Sequence, residues 1–198
     1  MHKHDTPCPK PTAAFILHQL GIAAYNRRDI EAALRLMSMA CAQLEAPALC
    51  HRDHAEMLHR CGRLDAAEAA ARLAVQRDPD CAHAWDTLGT ILVDKGALAE
   101  SRDCYQTAVQ IQLEFLPALN NLAVVLHTLG QLDASEDFFK RALNLQSDSL
   151  EIQLNLAHLL RTLKRHNKAL EIAERVIDGC PKDSELHRIA LGLKHELS

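Results

Sequence analysis

Aromatic side chains, excess positive charge and long apolar runs are all scarce in this chain, and each shortage excludes something. Phe, Tyr and Trp make up 4% of the 198 residues, so close contacts have to be filled by Ala and Leu. The net charge is −4, so no global positive field recruits nucleic acid or an anionic membrane, and neither is an expected partner. No stretch approaches the roughly 18 apolar residues of a membrane-spanning helix. The opening MHKHDTPCPKPTAA lacks the apolar segment of a secretory signal, which makes a cytoplasmic location the expectation. No nucleophile–base motif, phosphate-binding glycine loop or HExxH pattern occurs, so no enzyme activity and no cofactor are expected. Seven cysteines are present, an odd number with no CxxC pair. That usage fits free, partly buried thiols in a reducing compartment.

What the chain does have is a period. Residues 14–183 divide into five consecutive blocks of 34 residues without insertion: 14–47, 48–81, 82–115, 116–149 and 150–183. The seventh position reads Leu20, His54, Leu88, Leu122, Leu156, and the eighth Gly21, Ala55, Gly89, Ala123, Ala157. The twentieth reads Ala33, Ala67, Ser101, Ser135, Ala169, and the twenty-seventh Ala40, Ala74, Ala108, Ala142, Val176. A fixed period of this size marks a stacked repeat array. Residues 1–13, with Pro7, Pro9 and Pro11, stand outside it and read as a flexible arm. His2, His4 and Cys8 on that arm are only a weak metal-ligand pattern.

Each block reads as two helices around a turn. In the third, Trp85, Leu88 and Leu92 fall on one helical stripe, Gly96 breaks the pattern, and a second stripe runs through Leu98, Ser101, Tyr105 and Ala108. Gly62 and Gly130 break their blocks likewise, and Pro79 and Pro181 follow second helices that they cannot continue. A lone hairpin cannot cover its apolar stripe, so the hairpins must stack. Small residues at positions 8, 20 and 27 permit that close approach. Residues 184–198 begin a sixth block and stop after one helix, with Leu186, Ile189, Leu193 and Leu197 on one stripe. This reads as a capping helix.

The pattern resembles the tetratricopeptide repeat. Trp85-Asp86-Thr87-Leu88-Gly89 through Tyr105 and Ala108 carries the signature most fully, and Leu119-Asn120-Asn121-Leu122-Ala123 through Phe139 and Ala142 follows closely. Block two departs from it with His51 and His54 where large apolar residues are usual. Blocks one and five carry Arg28 and Lys164 in place of the turn glycine. The resemblance implies an all-α solenoid, a right-handed superhelix whose first helices line a concave groove.

Positions 2, 5, 6, 9, 12 and 13 of the first helix commonly face that groove in the family. Carried over, block one offers Phe15, His18, Gln19, Ile22, Tyr25 and Asn26, and block two Leu49, Arg52, Asp53, Glu56, His59 and Arg60. Block three offers His83, Asp86, Thr87, Thr90, Val93 and Asp94, and block four Pro117, Asn120, Asn121, Val124, His127 and Thr128. Block five offers Glu151, Leu154, Asn155, His158, Arg161 and Thr162. Phe15, Ile22 and Tyr25 lie at i, i+7 and i+10, an apolar stripe that an anchor on a partner, the arm or a second copy of the chain could cover. Asn121 and Asn155 share position 6, and a row of amides can hold an extended peptide backbone. That row is similar to the asparagine ladder in the tetratricopeptide arm of the O-linked N-acetylglucosamine transferases. Groove histidines would make binding pH-sensitive, although the chain holds 12 histidines in all. No Lys pair of the kind that grips chaperone C-terminal carboxylates is present at positions 5 and 9.

Two clusters point to sharper chemistry. Cys50 and His54, at i and i+4 in a helix that also carries His51, His59 and Cys61, could share a metal; a locally polar repeat interface is the plainer reading, and no metal site is expected. Arg161 to Lys168 is basic and sits at a turn, where solvation is the plainer reading. The expected function is a non-catalytic adaptor that holds an extended or helical protein segment in its groove, with self-association through the N-terminal repeat as an option. The alternative is a dedicated chaperone or accessory subunit of a secretion, pilus or polysaccharide and glycosylation assembly.

Overall fold

A computed structural model describes residues 12–197. Among the described residues the structure is all α-helical, with no strand. The helices follow in pairs: α1 (Ala13–Asn26) and α2 (Ile30–Cys41), α3 (Ala48–Arg60) and α4 (Leu64–Arg77), α5 (Ala82–Asp94) and α6 (Leu98–Ile111), α7 (Leu116–Thr128) and α8 (Leu132–Leu145), α9 (Leu150–Thr162) and α10 (His166–Gly179). A single helix, α11 (Glu185–Leu197), ends the series. The first helix begins one residue before the first block, because the Thr12 hydroxyl accepts from the Phe15 N–H at 3.3 Å and caps it. The rest of the proline-bearing arm, with His2, His4 and Cys8, lies outside the described residues.

The turn inside each pair is the same in all five blocks. One residue takes a left-handed backbone: Gly62, Gly96 and Gly130 at φ 72°, 77° and 76°, but also Arg28 at 66° and Lys164 at 58°. In each case the next N–H reaches back to the last turn of the helix, as from Arg63 to the Leu58 carbonyl at 2.9 Å and from Arg165 to the Leu160 carbonyl at 2.9 Å. This is the Schellman arrangement, which glycine enters without a Cβ clash. Blocks one and five adopt it with a side chain in place.

The fold forms two compact units that divide within α5, one up to Ile91 and one from Leu92 onward. In the first unit α1 packs on α2 and α3 on α4. Ala33, Met37 and Met57 make a buried cluster against which Ile22, Tyr25 and Leu34 pack. Gly21 allows the approach: a Cβ there would lie 3.3 Å from the Met37 Cε. In the second unit Leu119, Leu122, Phe139, Leu159 and Leu193 are buried. Positions 20 and 27 are fully buried in every block, from Ala33 and Ala40 to Ala169 and Val176, where a larger residue would overpack.

Leu20 is 50% exposed; among the described elements α1 packs on α2 and α3. One packing expectation is corrected. In α11 the buried face is His187, Ala190 and Leu193, while Ile189 is 42% exposed. The Ser184 hydroxyl accepts from the His187 N–H at 3.1 Å and caps α11. With the helix set in that orientation, the imidazole of His187 packs near the Cys180 thiol, at 3.7 Å.

Candidate functional site

In the first unit, α1 and α3 lie side by side, and a polar chain runs between them. The imidazole Nε2–H of His18 donates to Asp53 Oδ2 at 2.7 Å. Arg52 donates to Asp53 Oδ1 through Nε at 3.0 Å and Nη2 at 2.7 Å. Gln19 Nε2 donates to His18 Nδ1 at 3.3 Å. Thr87 of α5 donates to Glu56 Oε1 at 3.4 Å. Both carboxylate oxygens of Asp53 are thereby engaged, and the bonds hold α1 against α3.

Two hollows open on that face. One, of about 210 Å³, is lined by Ile22, Tyr25, Asp53, Glu56, Met57 and Arg60. The other, of about 380 Å³, is lined by Glu56, His59, Arg60, Asp86, Thr87 and Thr90. Glu56 and Arg60 belong to both, so the hollows adjoin. One wall is apolar and aromatic; the rest carries carboxylates, hydroxyls and a guanidinium.

The second unit has its own rungs, built on α7, α9 and α11. Asn155 Nδ2 donates to Asn120 Oδ1 at 3.1 Å. His127 Nε2–H donates to Thr162 Oγ1 at 2.8 Å, and Thr162 donates onward to the His158 carbonyl at 3.1 Å. Arg161 pairs with Glu196. Burial, reinforced by the Arg161 charge, pushes His127 and His158 below the ordinary imidazole value. The same sequence separation of 35 residues recurs in His18–Asp53, Asn120–Asn155, His127–Thr162 and Arg161–Glu196. Position 5 thus bonds to position 6 of the next block, and position 12 to position 13.

Two family models, both described as tetratricopeptide repeat, match residues 58–117 and 114–182. The chain belongs to the tetratricopeptide-repeat family. Its fold is that of solved tetratricopeptide proteins. TTC0263 from Thermus thermophilus aligns with TM-score 0.72 at 22% identity, covering 91% of this chain and 98% of that one. YrrB, described as a TPR protein with an unusual peptide-binding site, gives 0.75 at 19% identity, covering 92% of each. PilF of Pseudomonas aeruginosa gives 0.77 at 18%, covering 93% of this chain and 86% of that one. At these identities the likeness concerns the fold alone. No curated protein matches the chain in sequence. A tetratricopeptide array is in general a protein-interaction scaffold, and no described helix is long and apolar enough to cross a membrane.

The structure sorts the groove candidates of this tetratricopeptide chain. Ile22, Tyr25, Glu56, His59, Arg60, Asp86 and Thr90 line the two hollows, and Arg52 flanks them. Asn26 is exposed at the end of α1, and Val93 is half-buried in the second unit. Asn120, Asn121, Asn155, His127, His158 and Arg161 are half-buried on the second unit's face, with Val124 exposed. Two candidates are corrected. His18 and Leu154 are only 4% and 3% exposed; His18 is turned to α3, where it bonds Asp53. The apolar stripe of block one is also broken up: Phe15 is 51% exposed, while Ile22 and Tyr25 are partly buried against Met37 and Met57. The amide row changes as well, since Asn155 spends one amide hydrogen on Asn120 rather than presenting it outward.

Sequence reasoning missed Met57, which sits at position 10 and closes the floor of the smaller hollow. It also missed that Arg165, in the basic turn, is held by Glu136 through two contacts of 2.8 and 2.9 Å. Among the described residues no three His, Cys, Asp or Glu side chains converge as a metal-ligand set. The six described cysteines are free thiols. Burial, with Cys50 and Asp53 nearby, pushes the Cys41 thiol up to about 12, so it is no nucleophile at neutral pH.

Proposed function

We propose that the chain is a non-catalytic scaffold that holds an extended segment of a partner protein, and that in the first unit this segment lies along the face of α1 and α3. The observation that carries the reading is the pair of adjoining hollows sharing Glu56 and Arg60. An extended peptide puts alternate side chains on opposite sides. One such side chain would enter the apolar hollow by Ile22, Tyr25 and Met57. A later side chain on the same side, a polar one, would enter the hollow lined by Asp86, Thr87 and Thr90. Arg60, exposed between them, would reach a backbone carbonyl or a carboxylate.

The test is a titration with the full chain. Peptides selected from a displayed random library on the immobilised protein are measured against the wild type and against a Tyr25→Ala, Arg60→Glu double variant. The expected loss is more than about tenfold in affinity. Equal affinity for both proteins would remove the first unit's face from the proposal.

A further inference from the structure

Block two departs from the other blocks on the side of α3 opposite its groove positions. His51, His54 and Leu58 form one stripe there, at i, i+3 and i+7. The stripe floors a cavity of about 840 Å³ whose walls come from α2 and α4. Register explains the space. Position 22 reads Arg35, Ala69, Asp103, Asp137, Glu171, and position 23 reads Leu36, Ala70, Cys104, Phe138, Ile172. Block two alone has alanine at both. Position 22 is exposed in every block, so the room beside α3 comes from Ala70, where Leu36, Cys104, Phe138 and Ile172 are half-buried or buried in the other blocks. Leu34, Met39, Leu58 and Leu73 supply the apolar walls.

Two further observations say what kind of molecule the cavity suits. His51 is 5% exposed, and its Nε2 has no hydrogen-bond partner among the described residues. A buried polar atom left so is unfavourable, and it marks the wall of the cavity as polar on this side. The charged residues that line the cavity are Arg35 and Arg63, and no carboxylate lines it, in a chain whose net charge is −4. The volume lies in the range of small-ligand pockets, roughly 300–1,000 Å³. We infer that this cavity binds a small amphiphilic anion, its apolar body along the Ala69–Leu73 face and its acidic head towards Arg35 and Arg63, with His51 in the wall. Burial keeps His51 and His54 below the ordinary imidazole value, so near neutrality the two arginines supply the positive charge. The site is independent of the peptide face on the other side of α3.

The experiment is isothermal titration of the full chain with decanoate, and with decyltrimethylammonium as the same tail bearing the opposite charge. Decanoate should saturate with a Kd below about 100 μM. The cation should not saturate. Ala69→Trp fills the cavity from an exposed helix position and should weaken decanoate by more than about tenfold, as should Arg35→Glu with Arg63→Glu. Absence of saturable decanoate binding overturns the inference. So does equal binding of anion and cation, or full affinity in both variants. Sedimentation supplies a further outcome: a wild-type dimer that Ala69→Trp abolishes would put a second copy of the chain in the cavity instead.

Discussion

Ser101 and Ser135 occupy the same register position in neighbouring blocks, and both are fully buried. The Ser135 hydroxyl donates to the Ala123 carbonyl at 2.7 Å; the Ser101 hydroxyl has no partner among the described residues. Removing a satisfied buried hydroxyl costs about 1 kcal/mol, whereas removing an unsatisfied one relieves a desolvation penalty of about that size. Ser135→Ala is therefore expected to destabilise and Ser101→Ala to stabilise, each by about 1 kcal/mol in urea unfolding. Shifts of the same sign in the two variants would contradict this. The period alone makes position 20 legible as small and buried, since alanine occurs there in three blocks. Which serine finds a carbonyl depends on sub-ångström helix placement, which no periodicity encodes. His18 and Leu154 show the same limit. Family register puts them on the groove, yet both are buried.

At the scale of elements, the helices and their turns were legible because glycine, proline and the apolar stripes recur in register. The turn itself was legible in three blocks and hidden in two, where Arg28 and Lys164 hold the left-handed conformation that Gly62, Gly96 and Gly130 hold elsewhere. A Cβ in that conformation costs about 1 kcal/mol or slightly more, partly offset by the lower unfolded-state entropy of a non-glycine residue. Arg28→Gly and Lys164→Gly are each expected to stabilise by about 0.5–1 kcal/mol, read as a higher urea midpoint at unchanged slope. A lower midpoint in both would mean that the side chains support the turn. The misreading of α11 has a related cause. Its apolar residues fit one helical stripe on paper, but the Ser184 cap and the site of His187 near Cys180 set a different face inward. The alanine face of α4 was visible in the sequence. It becomes informative only once the cavity shows that nothing fills the space beside it.

For the molecule as a whole, four histidines report on pH. Burial is the largest cause holding His51, His54, His127 and His158 below the ordinary imidazole value. Unfolded, each binds its proton at about pH 6.5, so below that pH the unfolded chain takes up protons that the folded chain resists. Their contribution to stability is present above about pH 6.5 and is lost as pH falls towards the folded values. Glu136 is shifted down by its Lys140 and Arg165 partners and titrates at lower pH, outside that window. The unfolding midpoint should fall between about pH 7.5 and pH 5.5, and less steeply in His51→Leu, His54→Leu; identical slopes would refute the assignment. The period marks a stacked repeat array, and the resemblance of Trp85 to Ala108 to the tetratricopeptide pattern implies the family and, with it, the scaffold role. Block two differs most from the others, with an acidic and basic face on one side of α3 and the cavity between α2 and α4 on the other. Titration of a selected peptide against the wild type and the Tyr25→Ala, Arg60→Glu variant, with amide hydrogen exchange read at saturation, probes the first of these faces. Affinity should fall by more than about tenfold in the variant, and protection in the wild type should concentrate at Ile22–Asn26 and Glu56–Arg60. Unchanged affinity, with protection elsewhere, would contradict the proposed peptide face.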